Sequence, residues 1–285
     1  MKKILIRNRK EGWQHAKLSG HDNEDLILSQ LECLDSRNQL LENLRSRLGK
    51  NLQQVKKLTH SGIKEVGVPC IIGGLTKGKT DLSIEWSDNS KSRISIKKSL
   101  GGQVYLISTS RFINGFSRHF KEVEPEIQKA LMLYFGEDKE TLEILNRTAT
   151  FNQITRNYEL KKRRLTFESL KSHNKNMAEG MIQWFKDNID KIVLFCFSRG
   201  LVEDKECWAD YIWYKNLLKE NNIDEIVSIL QLAQNCKKTA VNNTMPGARN
   251  GGSTIQLPFG FVQWHQGKMQ FHHSYEKITK LTKQY

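Results

Sequence analysis

Two short alternating stretches, "TDLSIEW" (80–86) and "RISIKKSL" (93–100), constrain this chain most. Successive side chains of a strand point to opposite faces. Leu82, Ile84 and Trp86 therefore share one face of the first stretch, and Ile94 and Ile96 one face of the second. The intervening "SDNSKS" has the composition of a turn. The pair is predicted to form an antiparallel hairpin with an apolar face and a polar face. Asp81 heads the first strand, and Ser95 and Lys97 share the polar face of the next. Glycine pairs at 73–74 and 101–102 bracket the unit, and "GGQVYLIS" after it reads as a third strand, making a β-meander.

Around this unit the pattern is mostly helical. Apolar residues recur at helical spacing through 20–58, with Asp22 or Asn23 as candidate N-cap. Residues 111–150, 160–190 and 223–232 read as helices, and "IVLFCFS" (192–198) reads as a buried strand. "WADYIWYKNLLKENN" fits a strand or a helix. The stretch "NNTMPGARNGGSTIQLPFGFVQWHQGKMQFHHSY" is rich in Gly, Asn, Gln and aromatic residues and reads as a β-ribbon. The expected fold class is α/β: a central mixed β-sheet flanked by helices, with a C-terminal β-ribbon. The expected organisation is one domain over 1–285, with a core at about 20–110, a helical region at 111–190 and a recognition tail at about 240–275.

The 285 residues carry a net charge of +14. Such an excess favours a polyanionic partner, because neutralising phosphates releases counterions. No apolar run approaches the roughly 20 residues of a membrane span. "MKKILIRNRKEGW" has too short an apolar stretch for a secretory signal. A soluble, cytoplasmic protein without a membrane partner is expected. The five cysteines are scattered, with no C-x-x-C pair, so neither a zinc site nor a disulfide framework is indicated. Cys196 reads as a small core residue.

An aspartate and a lysine on the polar face of one hairpin suit phosphodiester hydrolysis. Mg²⁺ takes hard oxygen ligands and keeps several waters, so one or two carboxylates suffice. A lysine beside it can hold or deprotonate a water and stabilise developing charge. An exposed ion pair explains the same spacing without any chemistry.

With these residues in place, "TDLSIEW…SIKK" resembles the catalytic core of the PD-(D/E)XK nucleases, in which Asp and then (Asp/Glu)-x-Lys occupy adjacent strands. Asp81 matches the first acid and Lys97 the lysine, while Ser95 stands where the middle acid is expected. Small type II restriction endonucleases that cut GCGC or CCGG depart at the same place, with Gln or Asn there. The glycine pair before Lys79-Thr80-Asp81, the "KKRR" run (161–164), "SRG" (198–200) and "GFVQWHQGKMQF" resemble their segments in the same order. The resemblance implies that Asp81 ligates Mg²⁺, that the Ile96 carbonyl is a second ligand, and that Lys97 positions the nucleophilic water. It gives Ser95 a weak hydroxyl contact or one through water, and it makes Glu24 a further acid near the metal. Glu24 also suits a first-turn helix carboxylate. Glu85 and Asp88 are alternative replacements for the missing acid, although Glu85 lies about 13 Å along the strand from Asp81.

Reading a sequence requires donors and acceptors delivered to base edges, with Lys and Arg on phosphates. The tail supplies Arg249, Asn250, Thr254, Gln256, Gln263, His265, Gln266 and Gln270. Alternation turns Phe261, Gln263 and His265 one way and Val262, Trp264 and Gln266 the other. Lys79, Lys98, Arg199 and Lys268 join Arg249, Asn250, Gln256, Gln263 and His265 as candidate DNA contacts. His272 and His273 point apart as strand neighbours and suit surface or phosphate contact rather than a metal.

The expected activity is Mg²⁺-dependent cleavage of double-stranded DNA at a short palindrome containing CG. The resemblance implies 5′-phosphate and 3′-hydroxyl ends, and a cognate DNA methyltransferase that protects host DNA. A palindrome suggests a homodimer, although the resemblance also includes monomers that nick sequentially. A structure-specific repair nuclease and a non-catalytic DNA-binding protein are the competing readings.

Overall fold

The computed structural model describes residues 9–32, 38–60, 67–148, 164–218, 223–249 and 252–283. The hairpin forms as expected. β4 (Leu82–Trp86) pairs antiparallel with β5 (Lys91–Lys97), placing Leu82 opposite Ile94 and Ile84 opposite Ser92. Asn89, at φ 61°, lets the chain turn between them. Trp86 is fully buried, and its indole N–H donates to Ser92 Oγ at 2.9 Å.

The sheet around this hairpin is not the expected meander. Its order is β1-β4-β5-β7-β8, with β1 at Val55–His60, β7 at Tyr211–Lys215 and β8 at Asp224–Ser228; β2 (Val68–Pro69) and β3 (Leu75–Thr76) pair apart from it as a two-stranded sheet. β5 and β7 are parallel and the other pairs antiparallel, which makes the sheet mixed. "GGQVYLIS" does form a strand, β6 (Gly101–Ile107), but β6 leaves this sheet for a second one.

That second sheet has the order β6-β12-β11-β10-β9 and is antiparallel throughout. It contains β9 (Met245–Arg249), β10 (Gly252–Leu257), β11 (Gly260–His265) and β12 (Lys268–Ser274). The expected ribbon is thus four strands of a five-stranded sheet. Gln266 and Gly267, both at positive φ, make the two-residue turn between β11 and β12.

Other expectations change. Helix α1 runs Arg9–Glu32, so Asn23 lies inside it rather than at its cap. α2 (Gln39–Arg47) ends before β1, which takes the last part of the stretch expected to be helical. "IVLFCFS" is helical: Ile189–Val193 continues into a π-helix, Leu194–Arg199. Composition alone cannot tell a buried strand from a buried helix in so short an apolar run. "YIWYK" settles as strand β7, and 224–228 is strand before the helix Ile229–Asn243 begins. Helices Thr109–His119, Pro125–Tyr134, Thr141–Thr148, Phe167–His173 and Lys175–Asp187 fill much of the region expected to be helical.

Two apolar clusters hold these layers. Ile27, Leu31, Leu41 and Leu44 from α1 and α2 pack against Trp86, Ile94, Ile96 and Trp213 on one face of the mixed sheet. A larger cluster joins the helical region to the buried face of the second sheet through Phe112, Phe116, Phe195, Ile255, Val262 and Phe271. No helix among the described residues is long and apolar enough to cross a membrane.

Candidate functional site

Asp81 sits one residue before β4. Its backbone N–H donates to the Ile94 carbonyl at 2.9 Å, so it continues the ladder. Its carboxylate then turns along β5: Oδ2 accepts from the Ile96 N–H at 2.7 Å and from Ser95 Oγ at 3.1 Å. Lys97 Nζ donates to Ser95 Oγ at 2.7 Å and to the Ile96 carbonyl at 3.2 Å. Carboxylate, hydroxyl and ammonium form one line across two strands. Ser95 is only 5% exposed and serves as its middle link.

Glu24 completes the group from another element. Asn23, wholly buried, donates to the Lys215 carbonyl at 3.0 Å and accepts from the Leu217 N–H at 2.8 Å. Those bonds fix α1 at the end of β7 and hold Glu24 within electrostatic reach of Asp81 and Lys97. Burial, with the charge of Asp81 adding to it, pushes the Glu24 carboxyl up to about 8, against the opposing pull of Lys97. His21 Nδ1 lies 3.3 Å from its carboxylate.

A buried carboxyl held toward protonation, with a second acid within electrostatic reach of it, is a donor set that a divalent cation suits. The hydrogen bonds to the Asp81 carboxylate fall on Oδ2, so Oδ1 and the Glu24 carboxyl are the oxygens that could hold a hard ion. The Ile96 carbonyl, beside Lys97, supplies a third oxygen. No group of three or more His, Cys, Asp or Glu side chains suited to a metal occurs among the described residues.

Glu85 and Asp88 lie elsewhere. Glu85 pairs with Lys56 at 2.8 Å. Asp88, in the hairpin turn, accepts from Ser90 and Lys50 at the far end of β4. Neither takes the place of the missing middle acid.

The DNA-contact candidates fall into separate groups. Gln263 Nε2 donates to Gln270 Oε1 at 2.9 Å and lies 3.3 Å from His272 Nε2. Gln270 Nε2 in turn donates to Gln103 Oε1 at 2.8 Å. An amide ladder thus runs across β11, β12 and β6 on the face opposite Val262 and Phe271. Gln256 shares the sheet and donates to Thr254 Oγ1 at 3.0 Å. His265 and Lys268 pair at the β11–β12 tip. Arg249 lies on strand β9, and Asn250 falls outside the described residues. Gln103, on β6, is not among the residues expected to contact DNA. It lies 167 residues from Gln270, and nothing local marks it.

His272 and His273 diverge, as strand neighbours must, but His273 is not on the surface. It is 4% exposed, and its Nδ1 lies 3.0 Å from Tyr214 Oη. Burial, then the nearby charge of Lys97, pushes it down to about 3. His272 stacks on Phe261 with ring centroids 4.4 Å apart.

Arg199 ends the π-helix with its guanidinium between Phe120 and Trp208, at 4.6 and 4.5 Å from the ring centroids. It lines a cavity of about 480 Å³ with Lys91, Arg93, Ser198, Asp210 and Ser228. Arg93 is committed to Asp210, at 2.9 Å. Of the "KKRR" run, Arg164 lies over the Trp264 ring at 5.5 Å and 161–163 fall outside the described residues. Lys98 follows β5, where its carbonyl accepts from Asn216 at 3.2 Å. Lys79 turns inward: its Nζ donates to the Cys196 carbonyl at 2.7 Å and lies 3.8 Å from the Tyr105 ring centre. Burial pushes its ammonium down to about 7.

No protein-family model matches the sequence, and a search of curated proteins finds no match. Among solved structures, the chain is similar to a crystal structure of the restriction endonuclease MspI in complex with its cognate DNA. The TM-score is 0.46 and the identity 10%, over 91% of this chain and 87% of that one.

Proposed function

We propose that the protein is an Mg²⁺-dependent endonuclease that cuts double-stranded DNA at a short specific sequence. The observation that carries this reading is the line Asp81–Ser95–Lys97, with Glu24 brought beside it by α1. Asp81, Glu24 and the Ile96 carbonyl are the residues that would hold the ion. When bound, Mg²⁺ supplies Lewis acidity toward a water and neutralises phosphate charge. Lys97 would offer its ammonium to an attacking water and the phosphate oxygens, with Ser95 Oγ, which accepts from it, orienting it. Ser95 brings no second charge to the middle position, which leaves Glu24 as the other anionic ligand.

Specificity is proposed to come from the second sheet. Its ladder fixes the amide planes of Gln263, Gln270 and Gln103 by mutual hydrogen bonds, and base edges are read by donors and acceptors held in this way. The net charge of +14 supplies the sequence-independent attraction. A palindrome containing CG, and cleavage leaving 5′-phosphate and 3′-hydroxyl ends, belong to the same proposal.

Purified protein incubated with phage DNA and Mg²⁺ tests it. Discrete fragments whose sequenced ends share one motif are the expected result. A smear would favour a structure-specific nuclease. Intact DNA with a gel shift would leave a binding protein without catalysis.

A further inference from the structure

Lys79 is two residues before Asp81, and the geometry around it has a single direction. Its Nζ reaches the Cys196 carbonyl at 2.7 Å across 117 residues of sequence and covers the Tyr105 ring at 3.8 Å. Its backbone N–H donates to the Cys207 carbonyl at 3.1 Å. Thr80 Oγ1 donates to the Trp208 carbonyl at 2.9 Å. The segment leading into Asp81 is thus stitched at successive residues to two stretches outside the mixed sheet.

The receiving side is shaped for this. Gly200 N donates to the Phe195 carbonyl at 2.8 Å, a bond spanning five residues that defines the π-turn. Carbonyls near such a helix end need partners from elsewhere, and Lys79 supplies one to Cys196. Gly200, at φ 57°, leaves room for it: a Cβ there would lie 2.6 Å from Lys79 Cε and 3.0 Å from Tyr105 Oη. A side chain committed in this way is poorly placed to meet a phosphate.

We propose that Lys79 is a positioning residue that fixes the Asp81 carboxylate by pinning its segment to the π-helix Leu194–Arg199. The inference rests on the reading of Asp81 as a metal ligand. Groups that orient ligands without touching the metal commonly change metal affinity or activity by about 10- to 100-fold when removed.

The test compares Lys79→Met with Asp81→Asn and wild type. Mn²⁺ binding is measured by calorimetry without DNA, duplex affinity without divalent ions across a salt series, and cleavage as kcat and KM. For Lys79→Met, Mn²⁺ affinity should fall about tenfold and kcat about 100-fold. KM, metal-free duplex affinity and the salt slope should stay within about twofold of wild type. A salt slope reduced by about one would make Lys79 a phosphate contact and overturn the inference. So would unchanged Mn²⁺ binding and kcat beside an Asp81→Asn that has lost both. Asp81→Asn that binds Mn²⁺ like wild type would instead overturn the nuclease reading, and this inference with it. Should the methionine variant fail to fold, Thr80→Val loosens the same segment. It is expected to lower Mn²⁺ affinity, and wild-type affinity would count against the proposal.

Discussion

Ser95 Oγ donates to Asp81 Oδ2 across 3.1 Å, and that hydroxyl is committed again on its other side to the Lys97 ammonium. A serine placed where a third charge would be expected therefore acts as a spacer between two charges. Ser95→Ala should leave both charges in place but unoriented, with cleavage about tenfold slower. Lys97→Ala should lower the rate by about 10²- to 10⁴-fold while specific DNA binding changes little. Single-turnover cleavage and gel shifts on one duplex measure both. Equal loss of binding in Lys97→Ala would count against its assigned role.

Glu24 makes folding depend on pH. A carboxyl raised from 4.5 to about 8 in the folded state contributes stability below about 4.5 and loses it as pH climbs toward 8. The share owed to Glu24, read as the difference in thermal midpoint between metal-free wild type and Glu24→Gln, should therefore fall between about pH 5 and pH 8, against the opposite trend set by His273, which burial holds at about 3; Mg²⁺ should offset the fall. Glu24→Gln should remove this share and leave the rise that His273 sets. An unchanged slope in that variant would remove Glu24 as the cause.

The amide ladder can be separated from general attraction. Gln263→Ala should cost about 1–3 kcal/mol on the cognate duplex and little on a scrambled one. Gln103→Ala, at the other end of the ladder, should act in the same direction. Competition gel shifts measure the ratio, and uniform weakening would demote both to backbone contacts.

Arg199 is held by ring faces, and among the described residues no acid pairs with it. Arg199→Ala should weaken all duplexes alike and reduce the salt slope by about one. Arg199→Lys should restore charge without the planar stacking and recover only part of the affinity. Full recovery would mean that Phe120 and Trp208 are incidental.

Gly260 is set by clearance. A Cβ there would lie 1.9 Å from the His272 carbonyl oxygen, so β11 and β12 must part to admit one. Gly260→Ala should cost about 1–3 kcal/mol, read from urea unfolding. A neutral result would show that the two strands separate easily.

The hairpin was legible because alternation and turn composition agree within some fifteen residues. The line Asp81–Ser95–Lys97 follows from that local pairing. Neither the pairing of β5 with β7 nor the departure of β6 can be read locally, since both are choices between distant segments. "IVLFCFS" misled because its apolar run has no period to distinguish helix from strand. Lys79 looked like a DNA contact by type. Only the three-dimensional approach of Cys196 and Tyr105 turns it inward.

β5 ends at Lys97 and β6 begins at Gly101, so residues 98–100 alone separate the mixed sheet from the sheet that carries the amide ladder. A tether this short has almost no slack. If the two sheets recognise and cut as proposed, a mismatched duplex that tilts the outer sheet drags the ammonium out of alignment. Fidelity would then be checked mechanically, before any bond is broken.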